Sequence, residues 1–160
     1  MTSPVIILDV DHTLVHSVKK KKTVNHEQLY IETKHYNVYL RPHIYDFLRY
    51  CFEVTPFVIL WSAGTEDYIS EITKYFSSDF YFYKVITRTT YDTVEKDVDL
   101  ILTDQLIKNS LIIFVDDYPD RIKYNESEPL IFEIKKYTYR DNNDIELKKV
   151  KDDIKVIIGK

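Results

Sequence analysis

At 160 residues the chain is long enough to bury one real core and too short for two complete domains, so a single domain over 1–160 is expected. Its 44% hydrophobic and 30% charged content describes a soluble globular protein, and no stretch approaches the roughly 20 apolar residues that a bilayer span needs. A net charge of -4 argues against a generic nucleic-acid binder, whose affinity for phosphates comes from a basic surface.

Residues 1 to 16 lack the basic start and long apolar run of a signal peptide, so an intracellular protein of nucleus or cytoplasm is expected, with no membrane association. The single cysteine, Cys51, excludes an internal disulfide and reads as a buried small hydrophobe.

In chain order, the first element is the apolar run Val5 to Leu8, punctuated by Pro4 and stopped by Asp9 and Asp11. A β-branched run of this kind predicts a central strand of a parallel sheet covered on both faces, and ligands of such sheets bind beyond the strands' carboxyl ends. Asp9 and Asp11 then sit at the mouth of a site, with Val10 turned away and Thr13 closing the bend. Val15 to Lys22 follows, and the four lysines 19 to 22 read as an exposed loop that can draw in anions. Alternation over Gln28 to Thr33 and Tyr36 to Leu40, around the link Lys34-His35, predicts a β-hairpin insertion at about 23–41 lying over the site.

Arg41-Pro42-His43 opens a helix whose apolar positions Ile44, Phe47, Leu48 and Cys51 face the sheet, and Arg41 is expected to form a salt bridge within the fold. Pro56 to Ser62 is a second buried strand. It runs into Ser62-Ala63-Gly64-Thr65, where a hydroxyl and the backbone N–H groups of Ala63 and Gly64 can bind an anion. Thr65 caps a helix over about Glu66 to Phe76. A third strand, Lys84 to Thr87, precedes Arg88. Asp97 to Ile107 reads as a helix with Lys96 at its entrance. Leu111 to Val115 is a uniformly apolar fourth strand ending in Asp116-Asp117-Tyr118-Pro119. A fifth strand, Leu130 to Ile134, and a closing helix, Asp144 to Ile157, complete an alternating order that implies a doubly wound α/β sheet.

Strand and helix ends thus offer Asp9, Asp11, Ser62, Lys96, Asp116 and Asp117. Carboxylates from two strand ends suit Mg²⁺, which favours a few carboxylates, waters and a phosphate oxygen. Asp9 could attack phosphorus as the nucleophile, Asp11 could serve as acid and then base, and Ser62 and Lys96 could hold the nonbridging oxygens. A hard oxygen site needs no imidazole, so His12 and His16 stay outside this set.

Asp9-Val10-Asp11-His12-Thr13-Leu14-Val15-His16 resembles the D-x-D-x-T-L-V-H signature of the haloacid dehalogenase superfamily, within it the small C-terminal-domain phosphatases related to the nuclear LIM interactor-interacting factor. Leu40-Arg41-Pro42-His43, Leu60-Trp61-Ser62-Ala63, Lys96-Asp97 and Val115-Asp116-Asp117-Tyr118-Pro119 follow in the order that family shows. The resemblance implies a Rossmann-like haloacid dehalogenase fold, with a central parallel sheet flanked by helices, a small hairpin insertion and no large cap. It implies nucleophile and acid/base roles for Asp9 and Asp11, and phosphate contacts at Ser62, Lys96 and Arg88. It also implies metal binding by Asp9, the Asp11 carbonyl and the Asp116-Asp117 pair. Many relatives carry threonine at Ser62 and asparagine at Asp117.

The function so implied is a Mg²⁺-dependent protein serine/threonine phosphatase acting on a phosphorylated tail such as that of RNA polymerase II. Its partner is a phosphorylated protein or peptide, with no stable nucleic-acid binding and a monomer slightly favoured. A phosphatase of nucleotides or polynucleotide ends and a non-catalytic phosphopeptide adaptor are the alternatives.

Overall fold

The computed structural model describes residues 2–20 and 30–159. Strand β1 (Val5–Leu8) is apolar at every position and 0% exposed throughout, because both faces of the sheet are covered. Ile6 and Leu8 enter one core with Phe47, Leu48, Ile69 and Ile154, while Val5 and Ile7 enter a second with Trp61, Ile101 and Phe114. Truncating Ile7 to alanine would cost about 2–5 kcal/mol.

Beside β1 run β5 (Val58–Trp61) and β8 (Ile112–Asp116), and β6 (Lys84–Ile86) and β10 (Leu130–Glu133) lie at the edges. The order is β10-β8-β1-β5-β6 and every pairing is parallel. From β1 the chain builds outward through β5 to β6, then returns to the other side as β8. The order therefore reverses between β1 and β8, the position at which open α/β sheets form a crevice. Register sets Leu8 beside Val115, so both strands run out at the same edge with acids following.

Helices α1 (Ile44–Val54), α2 (Glu66–Phe76) and α3 (Glu146–Ile158) cover the first core. Ile44, Phe47, Leu48 and Cys51 are buried, as their spacing predicts. Pro42 precedes α1 in a turn, and His43 takes a left-handed conformation (φ 70°) as its N-cap. Thr65 stands at the N-cap of α2 without a side-chain hydrogen bond there.

Two expectations change. Lys19, expected in an exposed loop with Lys20 to Lys22, instead ends strand β2 (Val15–Lys19), which pairs with β4 (Tyr36–Leu40); with β3 (Tyr30–Glu32) these form a three-stranded antiparallel sheet in the order β2-β4-β3. Backbone pairing to β4 outweighs the charge of Lys19, which lies exposed at the strand's end. Thr33 and Tyr36 close the Lys34-His35 link through a Thr33 N–H bond to the Tyr36 carbonyl at 2.9 Å. Lys21, Lys22 and residues 23–29 of the expected hairpin lie outside the described residues.

The expected 97–107 helix is instead a two-residue strand, β7 (Lys96–Asp97), and a 3₁₀ helix (Val98–Thr103). Asp97 accepts from Asp99 N, and Asp104 accepts from Leu106 N and Tyr83 Oη. Short acidic side chains bonding nearby backbone compete with regular helix. Strand β7 pairs with β9 (Ile122–Lys123), which had no periodic signal.

Candidate active site

The loop after β1 starts with Asp9, whose N–H donates to the Val115 carbonyl at 3.0 Å and so extends the β1–β8 ladder by one residue. The Val10 carbonyl then accepts from Thr13 N, Leu14 N and Val15 N, while Val10 itself is buried in the core. His12 sits at φ 63°, the left-handed bend that reverses the chain. This turn aims Asp9 and Asp11 outward and returns Thr13 beneath Asp9. The Thr13 hydroxyl, 0% exposed, donates to Asp9 Oδ2 at 2.7 Å and accepts from Asp117 N at 3.1 Å.

Lys96 reaches in from β7. Its Nζ donates to Asp9 Oδ1 at 2.8 Å and to Asp116 Oδ2 at 2.6 Å, joining the ends of neighbouring strands through one buried cation. Burial works against its charge, but the two carboxylates outweigh that and hold the ammonium above its ordinary range. Asp9, Asp116 and Asp117 each offer a carboxylate oxygen, all within 4.8 Å of one another. Burial, then the Asp9 charge, pushes Asp116 up to about 6, with Lys96 opposing. Burial, then hydrogen bonding to Asp9, pushes Asp117 up to about 7. Three hard oxygen donors close together, only two of them bonded to the ammonium, form a donor set that fits Mg²⁺.

Asp11 lies apart from this cluster. Tyr68, from α2, donates its hydroxyl to Asp11 Oδ1 at 2.6 Å and also meets the Ser17 hydroxyl. Burial raises the Asp11 carboxyl above its usual range; the Tyr68 bond pulls the other way and the Asp9 charge adds to the rise. Two aspartates one residue apart thus occupy different surroundings, the condition under which paired carboxylates divide acid and base roles.

These groups open on a cavity of about 530 Å³ whose lining also includes Ala63, Gly64 and Arg88. Arg88 Nε donates to the Ala63 carbonyl at 2.9 Å, tying the end of β6 to the turn after β5. Ser62 lies beneath that turn at 2% exposure, with Oγ accepting from Gly64 N at 2.9 Å, and is not among the described residues lining the cavity. The Gly64 N–H expected to face an anion is therefore engaged internally. A Cβ on Gly64 would sit 3.1 Å from Ser62 Oγ and 3.2 Å from Tyr68, so a larger residue there would push those side chains back by a few tenths of an ångström. Thr13 is likewise an internal brace.

Arg41 is buried and forks onto Asp144, with Nε–Oδ1 and Nη2–Oδ2 both at 2.8 Å. Its remaining N–H groups donate to the carbonyls of His12 (3.2 Å), Thr13 (3.1 Å) and Lys135 (2.6 Å). It is a salt bridge, as expected, and also a clamp on the Asp9–Thr13 loop. Sequence reasoning missed Tyr68 and the cavity-lining Arg121 and Lys136, which no motif marks. His12, left outside the catalytic set, lines the cavity and donates Nδ1–H to the Tyr137 carbonyl at 2.9 Å.

A parallel sheet with paired acids at its reversal point, a lysine between them and a hairpin sheet alongside define an α/β protein of the haloacid dehalogenase type. The chain belongs to the NLI interacting factor-like phosphatase family, whose model matches residues 4–158. It is 28% identical to a CTD phosphatase-like protein, 355R, of Invertebrate iridescent virus 3, over 91% of each chain. Its fold is similar to that of fission yeast Fcp1, an RNA polymerase II CTD phosphatase, in a variant bound to beryllium fluoride: TM-score 0.63, 15% identity, 94% of this chain and 49% of that one. A second Fcp1 structure gives 0.63 at 16% identity, with 96% and 48% covered. The chain thus spans about half the length of those Fcp1 chains. Among the described residues no helix is long and apolar enough to cross a membrane.

Proposed function

We propose that this chain is a Mg²⁺-dependent phosphatase of phosphoserine or phosphothreonine in a protein tail, with the RNA polymerase II C-terminal domain as leading substrate. The observation that carries the proposal is the Asp9–Lys96–Asp116 bridge, two strand-end carboxylates held by one buried ammonium at the floor of an open cavity. The CTD phosphatase-like relative and the Fcp1 fold support the substrate class.

An Asp9 carboxylate oxygen forms a bond to phosphorus as the ester P–O bond breaks, giving an aspartyl-phosphate and an alkoxide that takes the Asp11 proton. Asp11, now a carboxylate, removes a proton from water; the resulting hydroxide attacks phosphorus, releases phosphate and restores Asp9. Lys96 and Arg88 stabilise charge on the nonbridging oxygens. Thr13 fixes the Asp9 rotamer, Ser62 shapes the Ala63-Gly64 turn, and Tyr68 orients Asp11. Asp9, Asp116, Asp117 and the Asp11 carbonyl would hold Mg²⁺, which when bound supplies the charge that lets a phosphate dianion approach carboxylates. The open site of this domain suits a protein tail, and the nucleus or cytoplasm is where it would meet such a substrate.

Phosphate release from a phosphoserine peptide and from a 3'-phosphorylated oligonucleotide, with Mg²⁺ and with chelator, is the test. Mg²⁺-dependent release from the peptide is expected, with none from Asp9→Asn, whose amide cannot form the acyl phosphate. No release even from a generic aryl phosphate would overturn the proposal, and oligonucleotide turnover above peptide turnover would overturn the substrate class.

A further inference from the structure

A second groove of about 540 Å³ neighbours the catalytic cavity through a pair of imidazoles, one lining each. His12 lines the cavity, His16 lines the groove, and their ring centroids are 5.1 Å apart. The walls are preformed, because the chain after β10 is zipped onto the loop and strand that follow β1. Tyr137 N donates to the His12 carbonyl at 2.8 Å, His12 Nδ1 to the Tyr137 carbonyl at 2.9 Å, and Tyr139 N to His16 Nδ1 at 2.9 Å.

The groove is basic in a protein that is acidic overall. Its described lining includes Lys19 and Arg140 and no carboxylate. Arg140 is exposed, its guanidinium lies 5.5 Å over the Tyr139 ring, and it forms no ion pair with a described residue. Lys136, on the cavity side, is also without an ion pair among the described residues. His16 accepts at Nδ1, so the neutral ring carries its hydrogen on Nε2. Burial, His12, Lys136 and Arg140 all favour that neutral form. Positive charge therefore runs from the cavity, past the two imidazoles, into a space with donors and no acid.

We propose that this groove binds a second phosphoryl group on the same polypeptide substrate, held by Arg140 and His16, a few residues along the substrate from the group hydrolysed in the cavity. The inference rests on the phosphatase reading of the cavity. A polypeptide fits better than single-stranded nucleic acid, which would need free aromatic faces for its bases. Tyr139 is already stacked against Tyr39 at 4.8 Å and His16 at 5.5 Å, which are partners across β4 and β2, and Arg140 covers it further.

The test is affinity, measured by fluorescence anisotropy on Asp9→Asn protein so that binding is read without turnover. The peptides carry one phosphoserine and, at each position two to five residues to either side, serine, glutamate or a second phosphoserine. The doubly phosphorylated peptide of one polarity is expected to bind about fivefold more tightly than the singly phosphorylated one. Arg140→Glu should erase that gain and Arg140→Gln should reduce it; Arg140 is exposed, so neither change threatens the fold. Equal affinities, or a gain that survives Arg140→Glu, would overturn the proposal. Glutamate matching phosphoserine would overturn its phosphoryl specificity. A 3'-phosphorylated oligonucleotide binding as tightly as the doubly phosphorylated peptide would overturn the choice of polypeptide. Wild-type phosphate release from the singly phosphorylated peptide tests the phosphatase reading separately.

Discussion

Replacing Arg41 by methionine keeps much of the aliphatic volume and removes five donated hydrogen bonds. The Arg41 side chain is 0% exposed and that of Asp144 4%, so the carboxylate left behind cannot hydrate without opening the structure. Breaking a buried pair from one side costs about 3–5 kcal/mol, and the orphaned carbonyls of His12, Thr13 and Lys135 add to it where water does not reach. A loss of about 5 kcal/mol is expected, a large share of the 5–15 kcal/mol by which domains are usually stable. With a urea slope of about 2 kcal/mol/M the midpoint falls by about 2.5 M. Trp61, the sole tryptophan and 2% exposed, reports unfolding by fluorescence. Arg41→Lys should recover only part of the loss, since one ammonium cannot span both Asp144 oxygens and three carbonyls. Adding Asp144→Leu to Arg41→Met should cost less than the sum of the two single changes, with a coupling of about 3 kcal/mol. A loss under 1 kcal/mol for Arg41→Met, or additivity within about 0.5 kcal/mol, would refute the clamp.

Two further outcomes follow from the acids. Asp116 and Asp117 hold protons up to about pH 6 and 7, whereas the unfolded chain releases them near 3.8. Between those limits the native state binds more protons, so metal-free protein should lose stability as pH rises from about 4.5 to 7.5. Thermal melts in chelator should show that fall, and Mg²⁺ should raise the midpoint more at pH 7.5 than at 4.5; a chelated midpoint that climbs with pH would contradict the acidic cluster. Tyr68→Phe deletes a bond that favours ionised Asp11, so the Asp11 carboxyl should rise further and the alkaline limb of the kcat–pH profile should move to higher pH. A limb that stays put would remove Tyr68 from control of Asp11.

What sequence could reveal was the chemistry written into continuous runs. Val5 to Asp9 and Ile112 to Asp116 each join an apolar strand to an acid, and parallel register then sets the two acids side by side. The helix faces of α1 and α2 were legible for the same reason, since their periodicity is local. Lys19 was assigned to a loop with the lysines after it because its pairing partner, not its own composition, makes it the end of a strand. The 97–107 segment failed because Asp97 and Asp104 cap nearby backbone rather than tolerate a helix. Ser62 was assigned a substrate contact from its place at the end of a strand and in a motif; that its Oγ also accepts from Gly64 N is a contact the sequence does not announce. Tyr68, Arg121 and Lys136 become visible only through contacts made across the folded chain.

The clamp and the zipper have a consequence for biosynthesis. The loop bearing Asp9 and Asp11 leaves the ribosome more than a hundred residues ahead of Lys135, Tyr137 and Asp144, whose contacts help to fix its conformation. A nascent chain that has emerged only as far as β8 can pair its central strands and bend that loop, but it lacks Lys135, Tyr137 and Asp144 to hold the loop and its Arg41 clamp in place. Competence for chemistry therefore arrives late and all at once, with the segment that runs into α3, and a chain that stalls before it should be released inert rather than partly active.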